Sequence, residues 1–183
     1  MGLMKVVAIV GMAGAGKSEV SRLFEKAGFT RIRFGDVTDE ELRKRGQELN
    51  EENERRVREL LRQERGMAVY AELNLPRIEA GLASSRVVID GLYSWEEYTL
   101  LKEHYNDNLL VVAVWSSTAV RYARLGRRFN RPLNPEEAAG RDRVEIENLH
   151  KGGPIAVADY IIVNESSLED LRERTEQTIA RIR

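Results

Sequence analysis

The sequence predicts an α/β fold in which a five-stranded parallel sheet lies between two layers of helices. Three features predict it. Short apolar, β-branched runs alternate with amphipathic stretches at helical spacing, the pattern of strand–helix–strand units whose crossovers cover both faces of a sheet. The first run, Lys5-Val-Val-Ala-Ile-Val10, lacks polar alternation and reads as a strand buried on both faces. It leads directly into Gly11-Met-Ala-Gly-Ala-Gly-Lys-Ser18, which is the G-x-x-x-x-G-K-[ST] pattern of a phosphate-binding loop.

Strands are expected near 4–10, 30–34, 86–90, 109–115 and 159–163. Helices are expected near 17–27, 39–49, 51–65, 67–83, 95–106, 117–128, 135–149 and 167–182. In the first helix Val20, Leu23, Phe24 and Ala27 recur on one face, and Gly28 is its expected stop. Ser94 with Glu97 and Ser166 with Glu169 have capping-box spacing. Asn134-Pro135-Glu136-Glu137 reads as an N-cap, a proline in the first turn and acids favourable to the helix dipole. The last helix carries Leu168, Leu171, Thr175, Ile179 and Ile182 as a stripe that docks on the sheet.

The chain of 183 residues is expected to form one domain with a sizeable core. Its net charge of −1 argues against a general polyanion-binding surface, so nucleic acid is not an expected partner. There is no cysteine, which excludes disulfides, thiolate metal sites and cysteine nucleophiles. The first residues lack a signal-peptide layout and no run approaches membrane-spanning length, so a cytoplasmic location and no membrane association are expected.

The chemistry centres on the loop. Gly11, Met12, Ala13, Gly14, Ala15 and Gly16 supply backbone N–H groups for phosphate, and the following helix adds partial positive charge. Lys17 reaches the outer phosphates, Ser18 offers a hydroxyl to Mg²⁺, and Glu19 borders the site. Arg86-Val-Val-Ile-Asp90 is a strand ending in an aspartate that could hold Mg²⁺ beside Ser18, or simply end a turn before Gly91. Asp36 follows the second strand and belongs on the same rim, where it would orient or deprotonate an acceptor or, alternatively, cap a helix.

Arg121, Arg124, Arg127, Arg128 and Arg131 crowd one segment, and Arg141 follows on the next helix. Positions 121, 124 and 128 share a helical face, an arrangement that asks for an anion. Guanidinium groups suit phosphate because their planar fork pairs with its oxygens. A lid over 121–143 is therefore expected, against the plainer reading of a surface helix paired to Glu136, Glu137, Glu145 and Glu147. Residues 36–83 form a charged helical insertion beside the loop. Tyr93 and Trp95 could stack on a base or pack a helix start; His104 and His150 carry no expected catalytic role.

With these residues in place, the chain resembles the small phosphate-loop kinases of the adenylate kinase and dephospho-CoA kinase group, including a set of archaeal proteins near them. The resemblance rests on the loop, Phe34-Gly-Asp36-Val37, Val88-Ile-Asp-Gly91, the arginines of 124–128, Arg141-Asp142 and Ala158-Asp-Tyr-Ile-Ile-Val-Asn164. It implies a P-loop NTPase three-layer sandwich of nucleoside-monophosphate-kinase type, ATP and Mg²⁺, and a small nucleotide-like acceptor bound under 36–83. It also implies that Arg124, Arg128 and Arg141, with Lys17, act on the transferred group. The chain departs from adenylate kinases at Asp39 and at Leu92-Tyr-Ser94, where those enzymes place acceptor-binding arginines; Arg43 or Arg77 are candidate substitutes. The final strand and helix look more like a dephospho-CoA kinase, which phosphorylates a hydroxyl. Neither an Asn-Lys-x-Asp nor an Asp-x-x-Gly segment supports a GTPase switch.

Overall fold

The computed structural model describes residues 5–129 and 132–182. Arg131 of the arginine cluster lies outside the described residues. Strands β1 (Val6–Val10), β2 (Thr30–Arg33), β3 (Val87–Asp90), β4 (Leu109–Trp115) and β5 (Tyr160–Val163) form one parallel sheet in the order β2-β3-β1-β4-β5. Val6 stands opposite Val87 on one side and Leu109 on the other. The central place of β1 explains its unbroken apolar run, all of which is fully buried.

The helices are α1 (Lys17–Lys26), α2 (Asp36–Lys44), α3 (Glu51–Arg65), α4 (Val69–Leu82), α5 (Trp95–Tyr105), α6 (Thr118–Gly126), α7 (Pro135–Glu147), α8 (Gly152–Ala156) and α9 (Leu168–Ile182). Alternation along β1 divides the core. Val7 and Ile9 pack against Val20 and Phe24 of α1 and Leu171, Ile179 and Ile182 of α9. Val6, Ala8 and Val10 face the other layer, where Tyr70 and Ile78 of α4 and Leu101 of α5 meet Leu42 of α2 and Leu61 of α3. Each fully buried Val, Leu or Ile among them contributes about 1.5–3 kcal/mol through transfer from water.

The helix expected at 39–49 instead runs from Asp36 to Lys44. Gly35 already has right-handed helical angles and accepts from Thr38 N–H at 2.9 Å, while Gly46, at φ 63, stops the chain after Arg45. The short α8 and a 3₁₀ turn at Asn106–Asn108 were not expected; Gly152-Gly-Pro154 reads as a loop until Pro154 is buried.

The Asn134 capping box forms as expected. Ser94 Oγ accepts from Glu97 N–H at 3.0 Å, and the Glu97 carboxylate accepts from Tyr93 N–H at 2.7 Å. At the last helix the cap is Ser167, which accepts from Asp170 N–H, and Ser166 donates to the Asp170 carboxylate. Leu168 is half-exposed rather than docked, because it sits at the helix start beside the loop cleft.

Tyr70 and Thr38 share a buried hydroxyl–hydroxyl hydrogen bond of 2.6 Å that ties α4 to α2. Replacing Tyr70 with Phe leaves the Thr38 hydroxyl buried without this partner. Urea unfolding is expected to show a loss of about 1–3 kcal/mol; an unchanged midpoint would contradict this role for the pair.

Candidate functional site

The loop is shaped by close backbone approaches. At Gly11 a Cβ would meet the Val114 carbonyl oxygen of β4 at 2.4 Å. Gly16, at φ +104, begins α1 in a left-handed conformation, and a Cβ there would meet Asn164 Nδ2 at 2.5 Å. Asn164 in turn donates to the Ala15 carbonyl at 2.8 Å. Lys17 lies back across the loop, its ammonium donating to the Met12 carbonyl at 3.0 Å. Burial lowers that ammonium to about 7, Lys151 and Arg141 push in the same direction, and Glu145 and Asp90 oppose them.

A cleft of about 210 Å³ opens at the start of α1, lined by Gly14, Gly16, Lys17, Ser18, Glu19, Arg124 and Arg128. A second, of about 340 Å³, shares Gly16, Glu19 and Arg124 with it and extends to Asn164, Ser166, Leu168 and Leu171. Six of the expected residues thus line one contiguous depression: Gly14, Gly16, Lys17, Ser18 and Glu19 with Arg124, and Arg128 joins them at its edge.

The arginines separate into two roles that their spacing does not distinguish. Arg121 is buried and structural. It donates to Asp142 with both terminal nitrogens, to the Ala13 carbonyl at 3.0 Å and to the Ser116 carbonyl at 3.3 Å. Arg124 faces the cleft while donating to Ser116 Oγ at 3.0 Å and Asn164 Oδ1 at 3.2 Å. Arg141 is half-exposed and reaches Glu145 at 3.4 Å. Ala13, Leu125 and Ala138 form a small apolar cluster that seats the loop against α6 and α7.

The acids also differ from expectation in detail. Asp90 ends β3 beside the loop, but one of its carboxylate oxygens is held by Arg31 of β2, through Nε at 3.1 Å and a shorter bond from the terminal nitrogen. Asp36 is the first residue of α2 rather than its cap. It is half-buried and paired with Arg33 at 3.1 Å. Phe34 N–H donates to the Asp90 carbonyl at 3.1 Å, so the segments bearing Asp36 and Asp90 share the carboxyl-end rim.

A buried polar cluster that composition and spacing did not reveal lies behind the loop. Lys151 is fully buried, bonds Glu145 at 2.9 Å and sits 5.1 Å from the centre of the Tyr93 ring. Glu145 also accepts from Ala13 N–H at 3.2 Å. Tyr93 is therefore a wall for Lys151, with its hydroxyl pushed up to about 12 by burial first and then by Asp90 and Glu97. Burial raises the Glu97 carboxyl to about 7 against the hydrogen bond from Tyr93 N–H. Trp95 packs on Gly153, where a Cβ would meet its ring at 2.4 Å, so it serves the helix start. His104 and His150 pair with surface glutamates Glu79 and Glu96. Of the two substitute arginines, Arg77 is bound to Glu40 and Arg43 lies exposed in the last turn of α2. A different arginine, Arg62, stands 5.1 Å from the Tyr70 ring centre and 4.0 Å from Glu97.

A glycine-built loop at the carboxyl end of the central strand, with a lysine and arginines around one cleft, defines a P-loop domain and implies nucleotide binding. The order β2-β3-β1-β4-β5 places it on the fold of small-molecule kinases. The model of a family described as an AAA domain matches residues 7–150. The chain belongs to that family and to the UPF0200 proteins. It is 36% identical over 181 residues to the UPF0200 protein of Thermococcus kodakarensis, covering 97% of both chains. It is 36% identical over 180 residues to that of Hyperthermus butylicus, covering 97% of this chain and 94% of that one.

Solved structures share the fold at low identity. Shikimate kinase from Bacteroides thetaiotaomicron aligns with a TM-score of 0.64 at 16% identity over 98% of both chains. Dephospho-CoA kinase from Campylobacter jejuni aligns at 0.58, with 15% identity over 97% of both. A gluconokinase from Sinorhizobium meliloti aligns at 0.60, with 19% identity over 98% of this chain and 94% of that one. Among the described residues, no helix is long and apolar enough to cross a membrane.

Two outcomes follow from the loop's supports. Arg121→Met removes one side of a buried ion pair and leaves the Asp142 carboxylate without its counter-charge, held by the Tyr122 hydroxyl at 3.1 Å, so denaturant unfolding is expected to show a loss of about 3–5 kcal/mol. Lys17, lowered to about 7 when the site is free, is mostly neutral at about pH 8. A bound polyphosphate favours its charged form. Binding of tripolyphosphate at that pH is therefore expected to take up a proton. Calorimetry in buffers of different ionisation enthalpy detects this uptake, and Lys17→Met is expected to abolish it.

Proposed function

We propose that the protein is an ATP- and Mg²⁺-dependent phosphotransferase acting on a small nucleotide-like acceptor. One observation carries the reading: loop backbone, Lys17, Arg124 and Arg128 border a single cleft, and a second cleft of suitable size for a base continues from it past Asn164 and Leu168. The loop N–H groups and Lys17 hold the donor phosphates. Arg124, Arg128 and Arg141 offset negative charge as it develops on the transferred group. Helices α6 and α7, with Arg128 just after α6, act as the lid that carries these arginines.

Mg²⁺ fits the residues present. Ser18 is exposed at the cleft, and Asp90 keeps one carboxylate oxygen clear of Arg31. These two residues would hold the ion together with the nucleotide's own phosphates. Bound Mg²⁺ supplies charge neutralisation across the outer phosphates.

The acceptor enters from the side of residues 36–83. Nucleoside monophosphates need no base, because the attacking phosphate oxygen is already anionic near neutral pH. A hydroxyl acceptor is the second reading. It is favoured by Asp39 and Leu92-Tyr-Ser94, which lack the arginines expected for an acceptor phosphate, and by structural neighbours named as shikimate kinase, gluconokinase and dephospho-CoA kinase. In that case the hydroxyl oxygen forms the new bond to phosphorus, the β–γ bridging bond breaks, ADP leaves, and Asp36 takes the hydroxyl proton.

An ATP-consumption screen tests both readings, with nucleoside monophosphates, nucleosides and dephospho-CoA compared side by side and Lys17→Ala as the blank. At least one acceptor is expected to raise consumption well above the blank. Turnover retained in cleanly purified Lys17→Ala would overturn the site assignment. No stimulation by any acceptor would favour nucleotide binding without transfer.

A further inference from the structure

Glu145 occupies a position in the loop that the loop's own chemistry suits to phosphate. It projects from α7, is buried, and meets three donors: one from the phosphate loop, one from the turn after α7 and one from Arg141 of its own helix. Its Oε2 accepts Ala13 N–H at 3.2 Å and the Lys151 ammonium at 2.9 Å, and its Oε1 accepts Arg141 Nε at 3.4 Å. Lys17 lies near enough to favour its charged form. A backbone N–H of a phosphate loop, two lysines and an arginine are a donor set for a phosphoryl group. Here a carboxylate fills it.

Ala13 marks which phosphate this is. The cleft at the start of α1 is lined from Gly14 onward and does not include Ala13. Lys17, which serves the outer phosphates, lies back to the Met12 carbonyl, next to Ala13. The Ala13 end of the loop is therefore the outer end, beyond the phosphates that sit on the helix start.

We propose that Glu145 is a built-in occupant of the terminal-phosphoryl position and sets the preference of the site between nucleoside triphosphates and diphosphates. The proposal rests on the donor-site reading above. A triphosphate must take Ala13 N–H, Arg141 and Lys151 from the carboxylate, whereas a diphosphate leaves that arrangement in place. Part of the attraction for the third phosphate is consumed in displacing Glu145, and like-charge repulsion adds to the cost until it moves. Glu145 is thus a specificity-determining residue whose effect is confined to one ligand of the pair.

The test is calorimetric titration of wild type and Glu145→Gln with the β,γ-imido analogue of ATP and with ADP, both with Mg²⁺. Glutamine keeps an oxygen for Ala13 and Lys151 but removes the charge. The expected result is about tenfold tighter binding of the analogue with unchanged ADP affinity, within the usual size of such couplings. A residue that merely supports the loop would change both affinities together, and that result overturns the proposal, as does an unchanged ratio. Where Glu145→Gln fails to fold, Glu145→Asp keeps the charge but shortens its reach by one methylene, drawing the carboxylate back from the Ala13 N–H and the Lys151 ammonium that share Oε2. It is then expected to shift the ratio in the same direction, and an unshifted ratio is equally decisive. Wild-type protein that binds neither nucleotide would refute the donor-site reading itself. Wild-type protein that binds both, with a ratio indifferent to residue 145, refutes this proposal alone.

Discussion

The site depends on one buried guanidinium. Arg121 is anchored to Asp142 by two hydrogen bonds and gives two further donors to the Ala13 and Ser116 carbonyls. It therefore links the phosphate loop, the end of β4 and helix α7 in one set of contacts. Only arginine offers this many donors in a fixed plane, and only a paired carboxylate makes its burial tolerable. Ala13 is then held at both of its backbone polar groups, by Arg121 at the carbonyl and by Glu145 at the N–H. The loop is set against α6 and α7 by polar bonds, and the Ala13–Leu125–Ala138 cluster fills the space between them. Phe129, at the far end of that unit, is fully exposed.

The electrostatics behind the loop are built in opposed pairs. Lys17, Lys151, Arg141 and Arg128 gather in one region, and Glu145, Glu97 and Asp90 are interleaved with them. Bare cations packed so closely would repel each other strongly in a poorly solvated interior. The acids reduce that repulsion, and burial lowers the two lysines further. In the free site the acids offset part of the cations' charge, and an entering anion favours the charged form of Lys17.

Features encoded by local sequence were legible. The apolar run of the central strand and the glycine–lysine–serine spacing sit within adjacent residues, so strand, loop and helix follow without knowledge of the rest of the chain. The strand positions follow from apolar runs bounded by charged segments, and the Asn134 capping box from residues three apart. Features that depend on distant chain segments were not legible. Arg121 and Arg124 lie three apart on one helix, yet Asp142 claims the first and the cleft keeps the second. Asp90 was recognised as an acid on the rim, but its partner Arg31 stands 59 residues away. The plainer reading of Glu145 as a surface partner fails because the α7–α8 turn, which brings Lys151 to it behind the loop, runs through His150 at φ 51. No periodic signal marks such a turn.

The bond from Arg31 to Asp90 also guards strand alignment. The second strand has four residues and lies at the sheet edge, where pairing is easiest to misplace. In the native register Arg31 stands opposite Val88, on the same side as Asp90, while Ile32 turns to the opposite core. A slip of one residue would drive a guanidinium among aliphatic side chains and push Ile32 toward water. It would also leave the acid beside the phosphate loop without its counter-charge. Correct docking of the edge strand and correct preparation of Asp90 are therefore a single event, so a mispaired chain could not present a finished rim.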